Sequence, residues 1–135
     1  MATVAPVPAL PVDVFAVIRQ ARVGVARSEL RLLGEMLVLT GRELAALLGT
    51  TERTLARRLT GADILDKAES ERLLLLRNLN AHGVSVFESQ ANFNDWLRRP
   101  LRLLEGQSPL EMLDTVTGFQ VVEQVLGRLA YGVFS

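Results

Sequence analysis

The sequence predicts an all-α protein: a helical N-terminal half with a helix-turn-helix, followed by a small helical lobe. Three observations carry this. Apolar residues make up 49% of the 135 but aromatic ones only 5%, so the apolar content is mainly Leu, Val and Ala, a helical-bundle composition. The apolar positions recur at helical spacing. Capping residues and glycines divide the chain into short helical segments. A chain of this length suffices for one domain, or for two small lobes sharing a core.

Residues 1–11 hold Pro6, Pro8 and Pro11, show no periodicity and read as a flexible arm. Asp13 caps a short helix, DVFAVIRQA, that Gly24 ends. A second helix begins near Ser28, with Leu30, Leu33, Met36 and Leu37 inward and Glu29 and Arg31 outward, and ends near Thr40-Gly41. In GRELAALLGTTERTLARRL, residues 41–59, Leu44, Ala45 and Leu48 share one helical face. Gly49 permits a sharp turn, and Leu55 with Leu59 forms the stripe of the next helix. Ala45-x-x-x-Gly49 has helix-turn-helix spacing, with Thr50 in place of the usual aliphatic residue. A long helix from Asp66 to Ala81, stopped by Gly83, turns Leu73, Leu76 and Leu79 inward. After it comes a helical stretch over 84–98 that Pro100 terminates, anchored by Trp96 and Leu97, with Arg98, Arg99 and Arg102 as a solvated rim. Ser108-Pro109-Leu110-Glu111 is a capping box with proline at the first helical position. Thr117-Gly118-Phe119-Gln120 repeats the spacing and opens the last helix. Phe119, Val122 and Leu126 point inward there, while Gln120, Gln124 and Arg128 form an outward stripe that Tyr131 continues. The expected division is an arm (1–11), a helix-turn-helix domain (12–83) and a C-terminal domain (84–135).

Composition excludes several functions. Without cysteine there are no disulfides, thiolate metal sites or cysteine nucleophiles, and nothing requires an oxidising compartment, so a cytoplasmic location is expected. The N-terminus lacks a basic leader segment and no apolar run reaches membrane-span length, so neither export nor insertion is indicated. His82 is the one histidine, read as a dipole contact at a helix C-terminus. No catalytic triad is legible, Asp63 and Asp66 suit a helix start, and Thr117-Gly118 lacks phosphate-loop spacing. A non-enzyme without metal or cofactor is expected.

Formal charge is zero, with 15 basic and 15 acidic residues, so no global field draws the molecule onto nucleic acid. Of the basic residues only Lys67 is not arginine. Within 40–61, Arg42, Arg53, Arg57 and Arg58 stand against Glu43 and Glu52, an excess of two positive charges. The candidate DNA contacts are Thr50, Thr51, Glu52, Arg53, Thr54, Arg57 and Arg58: the N-terminal ones toward base edges, Arg57 and Arg58 toward phosphates. So small a field implies weak binding by one copy, and occupancy through a homodimer or larger complex. The alternative is a solvated arginine face with Glu52 paired within its helix. The chain's last segment, GRLAYGVFS, is apolar where solvated residues are usual, and either folds back on the core or serves a partner. Gly132 suits a left-handed cap, after which Val133, Phe134 and Ser135 extend outward.

In the order of its motifs the sequence resembles the Xre/MbcA/ParS antitoxins, partners of RES-domain toxins, and is ParS-like. The matching pieces are ERTLARRL (52–59), AESERLLLL (68–76), NDWLRRPLRLLEGQSPLEML (94–113) and TGFQVVEQVLGRLAYGVFS (117–135). The resemblance implies an antitoxin of a type II toxin–antitoxin pair that binds operator DNA through its N-terminal half and its toxin through its C-terminal half. In such pairs the toxin consumes NAD, by degradation or by ADP-ribosylation of a protein, and the antitoxin blocks its active site. Gln124, Arg128, Tyr131, Gly132, Val133, Phe134 and Ser135 are then the toxin-binding residues, the tail acting as a plug whose carboxylate pairs with a phosphate-binding arginine. The expected assembly is a homodimer or a toxin–antitoxin hetero-oligomer. The rival readings are a stand-alone helix-turn-helix transcriptional regulator, and an interaction module that has lost DNA contact.

Overall fold

Helix starts are set by oxygen-bearing side chains that satisfy otherwise unpaired N–H groups. The computed structural model describes residues 13–61 and 64–132; the arm, Asp63 and the tail residues Val133, Phe134 and Ser135 lie outside them. Asp13 Oδ1 accepts the Phe15 N–H at 2.9 Å and opens α1 (Val14–Val23), which Gly24 ends. The second helix, α2 (Arg27–Met36), follows an Ala26 without a side-chain cap. Thr40 and Glu43 form a capping box on α3 (Gly41–Leu48), and Thr51 Oγ1 accepts the Thr54 N–H at the start of α4 (Glu52–Thr60). Asp66 and Glu69 box α5 (Lys67–Phe87), and Ser89 caps α6 (Gln90–Leu97). A 3-10 turn (Arg102–Leu104) leads to α7 (Pro109–Met112), boxed by Ser108 and Glu111, and then to α8 (Val116–Ala130).

Four boundaries differ from the sequence expectation. α2 stops at Met36, because Val38 takes a left-handed conformation (φ 53°) and Leu39 N–H reaches back to Gly34 O; Thr40 and Gly41 begin the next helix instead. Met36 consequently faces solvent rather than the core. α5 runs through Gly83 to Phe87, taking in 84–87, and Glu88 ends it in a left-handed conformation. Gly83 is buried for a packing reason: a Cβ there would stand 2.1 Å from Phe93 Cε1. The cap of α8 is Thr115, whose Oγ1 accepts the Gly118 N–H at 2.9 Å, two residues ahead of Thr117.

Among the described residues there is no strand, and one apolar cluster extends from Ala21 to Leu126. At its centre α5 packs against α1, α2, α3, α6 and α8. Phe87, Phe93 and Trp96 hold the α5–α6 corner with ring centroids 5.3–6.1 Å apart, and Trp96 is core as expected. Buried Ser70 is fully used, its Oγ accepting the Val25 N–H and donating to Leu65 O. No helix among the described residues is long and apolar enough to cross a membrane.

Candidate functional sites

Gly49 (φ 70°) makes the left-handed turn between α3 and α4, as Ala45-x-x-x-Gly49 requires. Thr50 N–H returns to Ala45 O at 2.9 Å and closes the corner. Leu44, Ala45, Leu48 and Leu55 are buried between the helices, and this leaves the opposite side of α4 to solvent. Arg27 Nη1 donates to Gly61 O and Arg31 Nη2 to Leu59 O, so α2 places two guanidinium groups on the C-terminal end of α4.

The candidate DNA contacts separate by what already holds them. Thr51 caps α4 and its hydroxyl also bonds Thr54 Oγ1 at 3.2 Å. Arg58 donates through Nε to the buried Glu69 at 2.9 Å and approaches Asp66 at 3.5 Å, so it braces α4 against the start of α5 and is a poorer phosphate donor than the sequence suggests. Glu52 is paired, yet with Arg42 of α3 at 3.8 Å rather than within its own helix. Arg53 and Arg57 are exposed and without a partner among the described residues. Thr50 is half-buried at the turn. Ala56, absent from the sequence-derived set, lies exposed on the same stripe as Arg53 and Arg57; the signal that finds it is helical spacing alone.

On the other side of α5, Phe119, Val122, Val125 and Leu126 bury one face of α8 and leave Gln120, Gln124 and Arg128 exposed on the other, continued by Tyr131 at 62% exposure. Gly132 takes φ 65°, and its N–H bonds Leu129 O at 3.1 Å, the left-handed close of the helix. Gln124, Arg128, Tyr131 and Gly132 thus occupy the exposed side and end of one helix, leading to Val133, Phe134 and Ser135, which lie outside the described residues. Two of the outlying residues have other work. His82 sits inside α5, not at its end, with Nδ1 2.6 Å from Glu123 Oε2 of α8. Arg98 is not a free rim group: it donates to Val38 O at 2.7 Å and to Glu43 at 3.2 Å, fastening α6 to the start of α3. No group of three or more His, Asp or Glu among the described residues is placed to hold a metal.

Residues 16–78 match the model of the antitoxin Xre-like helix-turn-helix domain, and residues 82–132 match the model of the antitoxin Xre/MbcA/ParS C-terminal toxin-binding domain. The chain belongs to the Xre/MbcA/ParS antitoxin family. The antitoxin is 29% identical to the Prs ADP-ribosylating antitoxin of Sphingobium sp., over 94% of this chain and 84% of that one. It is 31% identical to the antitoxin Xre of Photorhabdus laumondii, over 64% of this chain and 60% of its relative. With the antitoxin Xre of Pseudomonas putida the identity is 32%, over 59% of this chain and half of the other. Its fold superposes with a TM-score of 0.60 on a chain of the crystal structure of the M. tuberculosis MbcT–MbcA toxin–antitoxin complex, at 26% identity, covering 80% of this chain and 96% of that one.

Proposed function

We propose that this antitoxin neutralises a RES-domain, NAD-consuming toxin by placing the end of α8 and the tail beyond it in the toxin's active site, and that it represses its own operon through α4. The observation that carries the first part is the surface of α8: Gln124, Arg128 and Tyr131 line its exposed side, Arg128 has no partner among the described residues, and Gly132 turns the chain at its end. A cationic and aromatic stripe on α8, followed in the sequence by Val133 and Phe134, suits a cleft that binds an anionic nucleotide. Burial of Val133 and the Phe134 ring contributes roughly 2–5 kcal/mol before entropic costs, so the helix face must supply the remainder. The relative named as an ADP-ribosylating antitoxin and the fold shared with a toxin–antitoxin complex support a protein toxin as the target.

Repression rests on Arg53 and Arg57, exposed beside the helix-turn-helix corner and without a partner among the described residues. Their small number implies that a dimer or a toxin-bound assembly occupies the operator, since affinity grows with phosphates neutralised.

Deleting 132–135 tests the plug. The truncated protein is expected to keep its helical spectrum and to lose rescue of cells expressing the toxin. Full rescue by the folded truncation refutes the tail mechanism.

A further inference from the structure

Of the five exposed positions of α4, Thr60 at its end donates its hydroxyl to Ala56 O. The other four are Glu52, Arg53, Ala56 and Arg57, whereas Leu55 is buried and Thr54, Arg58 and Leu59 are partly covered. Their spacing makes a single stripe, bearing a carboxylate, a guanidinium, a methyl group and a second guanidinium in order along the axis. The neighbouring groups are committed elsewhere, Thr51 and Thr54 to the cap and Arg58 to Glu69. The Glu52 side chain is 64% exposed, steadied by Arg42 at 3.8 Å.

A carboxylate at the tip of a helix that meets DNA is informative, because it is repelled by phosphate and accepts hydrogen bonds only. Among base edges in the major groove, cytosine alone offers a donor with no acceptor beside it; adenine N6 adjoins the acceptor N7. Arg53 next to it carries a fork suited to guanine O6 and N7. Ala56, one turn further, presents a methyl group to the thymine methyl. Resting on the reading of α4 as the helix that enters the major groove, we propose that this stripe specifies the operator half-site. Glu52 selects a cytosine, Arg53 a guanine at the neighbouring pair, and Ala56 a thymine about two base-pair steps away, the distance that about 1.5 Å of rise per residue spans in four residues. Arg57 grips the phosphates and adds affinity without selectivity.

The test is selection from a random duplex library with the full-length protein and its variants, each checked for an unchanged helical spectrum. The wild type is expected to enrich a half-site with adjacent cytosine and guanine. Glu52→Gln is expected to move the cytosine preference to adenine, since an amide offers both a donor and an acceptor to that edge. Arg53→Ala should reduce discrimination for guanine roughly tenfold, and Arg57→Ala should weaken all sequences alike and lower the salt slope by about one. A wild-type motif that lacks the cytosine, or one that E52Q leaves unmoved, overturns this specificity while the operator reading stands. Retention of DNA with no preferred sequence overturns it equally. Failure to retain any duplex at about 50 mM salt overturns both.

Discussion

Glu123 and His82 meet between α8 and α5 with side chains 26% and 16% exposed. Burial pushes the Glu123 carboxyl above its ordinary value of 4.5, and the hydrogen bond and charge of His82 offset only part of that. A carboxyl with a raised folded pKa favours the native state while protonated. Its contribution is present below 4.5 and is lost as pH climbs through the raised value. Glu111 has the opposite sign: the backbone N–H and hydroxyl of Ser108 hold it below 4.5, so its contribution is present above that value and disappears as pH falls through the lowered one. We therefore expect Glu123→Gln to flatten the decline in stability as pH rises above 4.5, read from urea midpoints against the wild type. Parallel curves for the two proteins would refute the assignment. Glu123 adjoins Gln124 on the helix read as the partner surface, so this part-buried pair ties that helix to α5.

The α5–α6 corner pits helix propensity against packing. Alanine in place of glycine inside a helix favours folding by about 1 kcal/mol, but at Gly83 the added carbon would stand 2.1–2.4 Å from three atoms of the Phe93 ring. Phe93 is fully buried against Phe87 and Trp96 and has nowhere to move. Packing should win. Gly83→Ala is expected to destabilise by about 1–3 kcal/mol, seen as a lower melting temperature, and a raised one would mean the helices do not approach this closely. The same residue shows what could be read beforehand. Asp13, Gly49 and Ser108 were legible because capping and turn chemistry act within a few residues, and so were the inward faces of α3, α4 and α8. Gly83 looked like a stop because its reason, Phe93, lies on another helix. Thr115 and Thr117 offer similar spacing, and a Cβ at Gly118 only 1.5 Å from Met112 O shows how tightly the α7–α8 approach constrains that start. At the candidate DNA surface the exposed stripe was largely legible from periodicity. The engagement of Arg58 with Glu69, and of Arg98 with Val38 sixty residues away, depends on tertiary placement that periodicity does not encode.

Two guanidinium groups join the halves of the molecule. Arg72 of α5 donates to Leu47 O at the end of α3 and to Asp114 O ahead of α8, while Arg98 ties α6 to the beginning of α3. Beneath them Leu73, Leu74, Leu76 and Leu79 of α5 form the middle of one apolar cluster that also contains Leu44 and Leu48 from α3 and Val122 and Leu126 from α8. Family-level division into a helix-turn-helix and a toxin-binding part therefore does not imply two independently stable bodies, because each part completes its core with the other's side chains. Unfolding should be a single transition. Trp96 fluorescence, which reports the C-terminal half, and far-ultraviolet circular dichroism, which reports all helices, are expected to give coincident urea midpoints. A peptide of residues 82–132 lacks those four leucines and should remain largely unfolded, exposing the apolar face of α8 instead of presenting Gln124, Arg128 and Tyr131 on a rigid helix. If that peptide instead folds and captures the toxin as tightly as the whole chain, the shared core contributes nothing to recognition. α5 would then be a connector rather than the support on which the partner-binding surface is held.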